Sequence, residues 1–331
     1  MSAVDPDAAA GFAARVVAWQ RVHGRNGLPW QGTRDAYRIW LSEVMLQQTQ
    51  VTTVIPYYRR FLDRYPTVKA LAAATEEEVL ELWSGLGYYA RGRNLHKAAR
   101  RIAADGFPRT SQEIEQLPGI GRSTAAAIAA FAYGERAAIL DGNVKRVLSR
   151  CFLLRDKDEM WAQAEALLPR RDIERYTQAL MDLGATVCTR ANPRCGACPV
   201  AEVCKAKKAR RVGEFPPPRA RRELPRRQAT WLVLRRNGAV LVEQRPSPGI
   251  WGGLWCFPEL NGRRPRGAKA LEPIEHGFTH FRLRIHPLVL EIGVRARFQT
   301  EGKWLNLVEA DRAALPAPVK TLLARLREGG R

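Results

Sequence analysis

The sequence predicts an all-α domain followed by a smaller α+β domain. Three observations support this prediction. The 331 residues exceed one ordinary domain. From Phe12 to about Lys208 the apolar residues recur with helical spacing. A segment rich in proline and arginine then precedes strand-like alternation. The expected division is therefore a helical domain over 1–214, a linker over 215–228 and a second domain over 229–331.

The second domain is expected to contain a sheet and a closing helix. Asn237-Gly238 lies between two apolar runs and supplies the positive φ angles of a tight hairpin turn. Phe281, Leu283 and Ile285 alternate with polar residues, as in a half-buried strand. The segment 319–327 has helical spacing and is expected to close the domain.

The charge of the chain favours a polyanionic partner. The formal net charge is +21, and the stretch 205–236 carries twelve Lys or Arg residues against Glu214 and Glu223. Nucleic acid is the leading candidate, and an anionic membrane or the ribosome is the alternative. No apolar run approaches the ~20 residues that a membrane span needs, and the acidic first residues do not form a signal peptide pattern. We therefore expect a cytoplasmic protein without a membrane role.

Four of the six cysteines are spaced as ligands of one metal centre. They follow the pattern Cys188-x6-Cys195-x2-Cys198-x5-Cys204, in a reducing compartment where disulfides do not persist. Neighbouring cations are expected to favour the thiolates, namely Arg190, Arg194, Lys205 and Lys207. Zinc and a [4Fe-4S] cluster both accept four thiolates, so the spacing leaves both open. Cys151 and Cys256 are isolated and are expected to be small buried residues.

A glycine-containing turn is expected between two helices at about 111–133. Leu117-Pro118-Gly119-Ile120-Gly121-Arg122 places Gly119 and Gly121 where a tight turn needs a permissive backbone. The backbone N–H groups at the start of the next helix are available to a phosphate. An ordinary helical hairpin is the alternative interpretation.

Two carboxylates are candidates for catalysis. Glu43 shares a helix face with Ile39, Trp40 and Leu46, and burial raises the pKa of a carboxyl toward that of a general acid. Asp141 precedes a helix, whose free amides should favour its ionised form. A buried structural glutamate and a simple helix cap are the competing interpretations. One proton donor with one ionised carboxylate is the pair that cleavage of a glycosidic bond requires.

Three motifs resemble the MutY family of adenine DNA glycosylases, within the helix-hairpin-helix superfamily that includes endonuclease III. They are Leu28-Pro29-Trp30-Gln31, the run Trp40-Leu41-Ser42-Glu43-Val44-Met45-Leu46-Gln47-Gln48-Thr49-Gln50, and Gly85-Leu86-Gly87-Tyr88-Tyr89-Ala90-Arg91. The cysteine spacing also resembles the iron-sulfur loop of this superfamily. The resemblance implies an all-α helix-hairpin-helix glycosylase domain with a [4Fe-4S] cluster in the loop 188–204.

The same resemblance implies a role for individual residues. Glu43 would protonate adenine, and Asp141 would stabilise the sugar cation before water completes hydrolysis. Gln48 and Tyr88 would wedge into the base stack, and three residues would surround the extruded adenine, namely Trp30, Leu46 and Asp182. Further DNA or base contacts would come from Gln31, Thr49, Gly119, Gly121 and Asn143.

Ser123 distinguishes two branches of the superfamily. It stands where the endonuclease III relatives carry a lysine, and a hydroxyl cannot form the imine of a lyase. The resemblance therefore implies a monofunctional hydrolase, with Ser123 counted among the catalytic residues and its own share left open. An endonuclease III-like pyrimidine glycosylase and lyase is the alternative enzyme.

The C-terminal stretch resembles the MutT-like (Nudix-like) domain that MutY proteins append. It includes Gly249-Ile250-Trp251-Gly252-Gly253-Leu254-Trp255-Cys256-Phe257-Pro258 but lacks the acidic clusters of the Nudix metal box, so we expect binding rather than pyrophosphate hydrolysis. Phe278-Thr279-His280 matches the loop that contacts 8-oxoguanine, with threonine replacing the commoner serine. Without the resemblance, these residues could merely end a strand.

The expected substrate is double-stranded DNA with adenine opposite 8-oxoguanine or guanine. The expected protein is a bacterial, nucleoid-associated monomer in the cytoplasm. A non-catalytic DNA-binding iron-sulfur protein would share the basic charge and the cysteines, and an electron carrier would share only the cluster. Neither explains the pairing of Glu43 with Asp141.

Overall fold

The computed structural model describes residues 6–217, 223–293, 302–308, 310 and 313–328. Residues 218–222 of the expected linker and the last three residues of the chain lie outside this part.

The described chain up to residue 217 is helical, as predicted, with short 3₁₀ turns at Cys195–Ala197 and Val212–Glu214. Its α-helices are α1 (Pro6–His23), α2 (Ala36–Leu46), α3 (Val51–Arg64), α4 (Val68–Ala73), α5 (Glu76–Trp83), α6 (Tyr89–Asp105), α7 (Ser111–Glu115), α8 (Arg122–Tyr133), α9 (Gly142–Phe152), α10 (Lys157–Ala166), α11 (Ile173–Thr186) and α12 (Lys205–Lys208).

Side-chain caps fix where the helices that matter to the site begin. Asp35 accepts hydrogen bonds from the backbone N–H groups of Tyr37 and Arg38 at the start of α2. Thr110 and Glu113 form a capping box at α7. Each cap satisfies amide donors that have no partner within the helix. The helix that carries Glu43 and the first helix of the hairpin therefore start at defined residues.

The remaining described residues form seven strands and a closing helix. They are β1 (Arg226–Arg236), β2 (Ala239–Gln244), β3 (Trp255–Cys256), β4 (Lys269–Ala270), β5 (Ile274–Gly277), β6 (Arg282–Glu291), β7 (Lys303–Asn306) and α13 (Ala317–Glu328). The sheet order is β3-β2-β1-β6-β4, with β5 also on β6 and β7 on β2. The predicted hairpin is confirmed, since Arg236 pairs with Ala239 across Asn237-Gly238. The predicted strand and closing helix are confirmed as β6 and α13.

The structure divides into two compact units. One contains Met1–Ala72 with Lys97–Ala220, and the other contains Ala73–His96 with Arg221–Arg331. In the second unit the fully buried Leu80 of α5 packs in the same apolar core as Trp231, Phe257 and Leu322. Residues 73–96 thus group with the C-terminal residues, although the sequence suggested a continuous helical domain. The boundaries 1–214, 215–228 and 229–331 stay a prediction.

Candidate active site

A cleft of about 600 Å³ opens in the first unit. The α2 helix contributes Ile39, Ser42 and Glu43 to its wall. Trp30 also lines it and is 7% exposed, with its ring edge-on to Tyr58 at 5.4 Å between centroids. Other residues that line the cleft include Asn26, Gln31, Phe131, Gly134, Arg175 and Gln178. Most of the lining side chains are polar or charged, and the apolar ones are Trp30, Ile39, Phe131 and Ile173. Such a mixture can contact both the flat face and the polar edge of a base.

Glu43 lies at the wall of this cleft with a strongly perturbed carboxyl. Burial raises the pKa of Glu43 to about 8, and the negative charge of Asp141 contributes in the same direction. The carboxyl therefore carries its proton near neutral pH. A protonated carboxyl beside a cleft has the chemical competence of a general acid.

Asp141 caps α9 and is held by three donors. Its carboxylate accepts hydrogen bonds from the backbone N–H groups of Asn143 (3.1 Å) and Val144 (2.8 Å) and from the Asn143 amide (3.1 Å). Burial nevertheless raises the pKa of Asp141 above its ordinary value, although all three hydrogen bonds lower it. The expectation that the free amides favour the ionised form is confirmed, because their hydrogen bonds lower the pKa of Asp141, but burial outweighs them.

Ser123 is placed beside Asp141 through the backbone. The hydroxyl of Ser123 accepts a hydrogen bond of 2.9 Å from the N–H of Leu140, the residue before Asp141. Ser123 is not among the described residues that line the cleft. Its contact therefore supports the path of the chain into the α9 cap.

Asp182 is the most buried of the residues expected around the base. The Asp182 carboxylate is fully buried and accepts from Arg25 Nε (2.7 Å), from the Arg25 backbone N–H (2.9 Å) and from Gln178 Nε2 (2.8 Å). Leu46 and Asp182 are not among the described lining residues. In this structure Asp182 anchors the segment before Trp30, and a direct base contact stays a prediction. Gln31 supports the same segment, since its amide accepts from Leu28 N–H and donates to the Arg25 carbonyl.

The hairpin between α7 and α8 uses its two glycines differently. Gly119 has a φ of 80°, which a residue with a Cβ rarely adopts. Gly121 caps α8 with a φ of −107°, and a Cβ there would meet no atom within 4 Å. The sequence predicted that the turn needs a permissive backbone at both glycines. This prediction holds for Gly119 but not for Gly121, whose φ angle other residues also adopt. Phosphate binding by the amides at the start of α8 stays a prediction.

The two expected wedge residues share an unusual backbone conformation. Gln48 (φ 58°) and Tyr88 (φ 48°) both lie in the left-handed region, and both are exposed. Non-glycine residues adopt it at a cost and commonly at functional sites. Thr49 follows Gln48 and is held by a backbone hydrogen bond from its N–H to the Leu46 carbonyl, at 3.3 Å.

The four cysteines of the 188–204 loop line one small apolar cavity, together with Cys151 and Arg150. No three His, Cys, Asp or Glu side chains of the described residues are close enough to hold a single metal ion. Burial raises the pKa of Cys188 and raises that of Cys198 to about 11. A hydrogen bond with Cys151 lowers the pKa of Cys204 to about 6.

Two arginines of α9 hold this loop, and neither was singled out from the sequence. Arg150 is buried and donates to Cys188 Sγ (3.3 Å) and to the Thr189 carbonyl (2.8 Å). Arg146 donates to the Cys188 carbonyl (2.6 Å) and to Asn143 Oδ1 (2.9 Å). For Cys188, the cations that lower the pKa of the thiol are thus Arg150 and Arg146 of α9, in addition to the expected cations that are adjacent in sequence. Arg146 and Arg150 are four residues apart on one helix and therefore share a face. This spacing is the signal by which the sequence could have identified them.

The expected recognition residues form the tip of the β5–β6 hairpin. The N–H of Phe278 donates to the Phe281 carbonyl at 2.9 Å, and the two rings stack at 4.3 Å. Thr279 and His280 are exposed between them. Trp251 packs against Phe278 at 5.4 Å. An aromatic platform therefore displays one hydroxyl and one imidazole to solvent.

Several lining residues were not anticipated. Gln178 could have been found, because it precedes Asp182 by one helical turn on α11. Asn26, Phe131 and Arg175 come from separate parts of the chain, and their convergence depends on tertiary packing. Within the described residues, no helix is long and apolar enough to cross a membrane.

The fold and the site define a class of protein. The structure has the features of a helix-hairpin-helix base excision glycosylase. They are a helical hairpin, a cleft with a protonated carboxyl, and a neighbouring aspartate that caps a helix. Residues 41–170 match the HhH-GPD superfamily of base excision DNA repair proteins, and residues 229–325 match the NUDIX domain. A thermostable thymine-DNA glycosylase is 27% identical, with a TM-score of 0.56 over 60% of this chain and 95% of the other. Endonuclease III in a DNA complex shares the fold, at 21% identity and a TM-score of 0.54 over 62% of this chain and 98% of the other.

Relatives that match along nearly the whole chain specify the family. The adenine DNA glycosylase of Buchnera aphidicola subsp. Baizongia pistaciae is 34% identical, over 96% of this chain and 97% of the relative. The adenine DNA glycosylase of Homo sapiens is 33% identical, over 93% of this chain and 72% of the relative. The chain belongs to the adenine DNA glycosylase family.

Proposed function

We propose that the protein hydrolyses the N-glycosidic bond of adenine mispaired with 8-oxoguanine, or with guanine, in double-stranded DNA. The observation that carries the proposal is the Glu43 carboxyl, whose pKa is raised to about 8 by burial and by the charge of Asp141, at the wall of a cleft of about 600 Å³. Membership of the adenine DNA glycosylase family supports the choice of base.

The two carboxyls take different roles in this proposal. Protonated Glu43 donates its proton to a ring nitrogen of the extruded adenine, and the glycosidic electron pair leaves with the base. Asp141, in its ionised form, stabilises the sugar cation that remains. Three hydrogen-bond donors hold its carboxylate in place. Water adds to C1′, and the proton that it loses returns to the Glu43 carboxylate, so that the acid is restored.

The enzyme is proposed to lack an efficient lyase step. A lyase of this superfamily forms an imine with a lysine amine. Ser123 offers a hydroxyl, which is already bonded to Leu140 N–H. The sequence left an endonuclease III-like lyase as the alternative enzyme. The relatives from Buchnera aphidicola and Homo sapiens, which cover more than nine tenths of this chain, are adenine DNA glycosylases and favour the proposal.

Cys188, Cys195, Cys198 and Cys204 are proposed to hold a [4Fe-4S] cluster. Their shared cavity and the Arg150 donor to Cys188 support this set of four sulfur ligands. When bound, the cluster would supply iron–thiolate bonds that cross-link the loop.

A monomeric state and a nucleoid-associated cytoplasmic location stay predictions.

Base recognition is proposed for Phe278, Thr279 and His280. An 8-oxoguanine differs from guanine by a carbonyl and an N7–H, and each can bond to an exposed hydroxyl, imidazole or backbone group. The exposure of Thr279 and His280 on a packed aromatic platform supports the assignment. Within the described residues, no acidic cluster for a metal accompanies them.

Single-turnover excision by the full chain tests the proposal. We expect adenine release opposite 8-oxoguanine and more slowly opposite guanine, with strand breaks only after alkali. Thr279→Ala with His280→Ala should lower the ratio of the two rates by about thirtyfold, since the two lost contacts are worth ~1 kcal/mol each. Thr279→Ser is the matched control and should be mild. If the protein releases adenine from neither mispair, the proposed activity is wrong.

A further inference from the structure

The segment from Ser84 to Tyr89, here called the Tyr88 loop, has a tightly specified backbone. Gly85 (φ 101°), Gly87 (φ 77°) and Tyr88 (φ 48°) all lie in the left-handed region. Tyr88 is 48% exposed despite its large apolar ring. A loop that displays an aromatic side chain in this conformation needs contacts that hold it there.

Part of that support lies next to the loop. Trp83 Nε1 donates to the Gly87 carbonyl at 3.0 Å. Arg91 donates to the Leu86 and Gly87 carbonyls at 3.3 Å, and its guanidinium lies 5.4 Å from the centre of the Tyr88 ring. Burial lowers the pKa of Arg91 to about 10, so the guanidinium stays charged at neutral pH.

The rest of the support comes from a residue more than two hundred positions away. The Leu315 carbonyl accepts hydrogen bonds from Tyr89 Oη at 3.0 Å and from Ser84 Oγ at 3.1 Å. The Tyr89 hydroxyl in turn accepts from the N–H of Gly85 at 3.4 Å. Both ends of the Tyr88 loop are thus bonded to one carbonyl that precedes α13.

The helices on either side of the loop are fixed to the same unit. Arg93 donates to the Gly252 carbonyl at 2.6 Å. Before the loop, Glu77 accepts from Trp255 Nε1 at 2.7 Å and pairs with Lys303 at 2.8 Å. The Tyr88 loop therefore belongs structurally to the unit that also contains the Phe278–His280 tip.

We propose that Tyr89 and Ser84 are positioning residues that tie the Tyr88 loop to the C-terminal domain through the Leu315 carbonyl. The domain that reads the base opposite adenine would then also hold the side chain that enters the base stack. This inference rests on the proposed function, in which Tyr88 is a wedge. Insertion into a stack costs unstacking energy. A loop that must first be ordered adds its own conformational entropy to that cost.

A double-mutant cycle on the full chain tests the tie. The substrate carries 2-aminopurine beside the 8-oxoguanine, because its fluorescence rises when the base is unstacked. Tyr89→Phe removes two hydrogen bonds, the one to the Leu315 carbonyl and the longer one from the N–H of Gly85. It should therefore reduce the population of the unstacked complex by at least about fivefold. Tyr88→Ala should abolish the signal. In the Tyr88→Ala background, Tyr89→Phe should cause no further loss of excision rate.

Two controls separate positioning from general damage. Tyr176→Phe removes a buried hydroxyl with no hydrogen-bond partner among the described residues, and it should leave the fluorescence unchanged. Thermal unfolding should show that Tyr89→Phe is folded. If Tyr89→Phe does not fold, the same fluorescence measurement is made on Ser84→Ala. This variant removes the other hydrogen bond to the Leu315 carbonyl.

The outcomes distinguish this inference from the proposed function. If the wild type unstacks the probe and Tyr89→Phe loses that signal, but neither releases adenine, the proposed function is overturned and the tie is supported. An unchanged signal in both Tyr89→Phe and Ser84→Ala would overturn the tie. Equal losses of excision rate from Tyr89→Phe with and without Tyr88 would also overturn it, because the hydroxyl would then act independently of the wedge.

Discussion

The Ser123 hydroxyl accepts a hydrogen bond from the N–H of Leu140, directly before Asp141 in the chain. Ser123→Ala should therefore slow excision by about two- to tenfold, because the lost bond loosens the chain before the Asp141 cap. Ser123→Lys should add weak strand nicking, since an amine near the emptied sugar can form an imine. Borohydride trapping measures the second effect. No covalent adduct with Ser123→Lys, while Ser123→Ala still excises adenine, would contradict the location inferred for residue 123.

Glu43→Gln should lower single-turnover adenine excision by at least about a hundredfold, because a positioned general acid contributes on that order. Binding to the mispair should be largely kept, since phosphate contacts depend on basic groups elsewhere. Filter binding and excision are measured on the same substrate. Glu202→Gln, in a highly exposed ion pair with Arg15, is the matched control and should be neutral. A retained rate in Glu43→Gln would remove Glu43 from the acid role.

The excision rate of the free enzyme should fall as the pH rises through about 8. Burial raises the pKa of Glu43 to about 8, so the proton that it donates is present below that pH and lost above it. The measurement is the single-turnover rate between pH 6 and pH 9.5, with the enzyme in excess over the DNA but below saturation, so that the rate reports the free enzyme. Binding is followed in parallel, because deprotonation of Glu43 should not release the DNA. A rate that stays flat up to pH 9.5 would contradict the assignment.

The same raised pKa has a stability consequence of defined sign. Between the ordinary pKa of 4.5 and about 8, the folded state holds a proton that the unfolded state has lost, so stability falls as the pH rises. Glutamine does not titrate. The melting temperature of Glu43→Gln should therefore exceed that of the wild type by a few degrees at pH 8.5 and by less at pH 5.

Asp182→Asn should destabilise the first unit and slow excision. The carboxylate is fully buried and pairs with Arg25 Nε at 2.7 Å, so the amide would place a donor against donors. We expect a loss of about 3 kcal/mol of unfolding free energy, typical of a broken buried pair. Asp105→Asn, in an exposed pair with Arg101, is the control. Additive effects of Asp182→Asn and Arg25→Gln would show that the two side chains do not act as a pair.

Gly184→Ala should disturb the packing of α11 on α9. A Cβ at Gly184 would lie 2.5 Å from the Asn143 Cβ and 2.8 Å from its backbone, which cannot easily move. We expect a loss of about 1–3 kcal/mol and slower excision, because Asn143 also bonds to Asp141. Gly11→Ala, where a Cβ meets nothing within 4 Å, should be neutral or stabilising. Denaturant unfolding distinguishes the two variants.

Local patterns predicted those features that depend on neighbours in sequence. The helical lobe, the Asn237-Gly238 turn and the cap at Asp141 follow from periodicity, backbone preference and capping. The burial of Glu43 was also predictable, because its helix neighbours one turn away are apolar. The bond of Ser123 to Leu140 was not, since a hydroxyl has many possible partners and tertiary packing selects one. The grouping of 73–96 with the C-terminal residues was equally hidden, because Leu80 is apolar in any helical core.

The discontinuity of the second unit bears on how such proteins can be recombined. Leu80 is packed with residues beyond position 230. If two relatives exchanged only their C-terminal regions, the α5 helix of one protein would have to pack against the core residues of the other. A functional chimera has to transfer two separate gene segments, 73–96 and the C-terminal region. The arginine-rich linker lies between two domains and is therefore the simplest place to join two sequences. A crossover there would nevertheless break native packing, because it separates α5 from the core of its own unit.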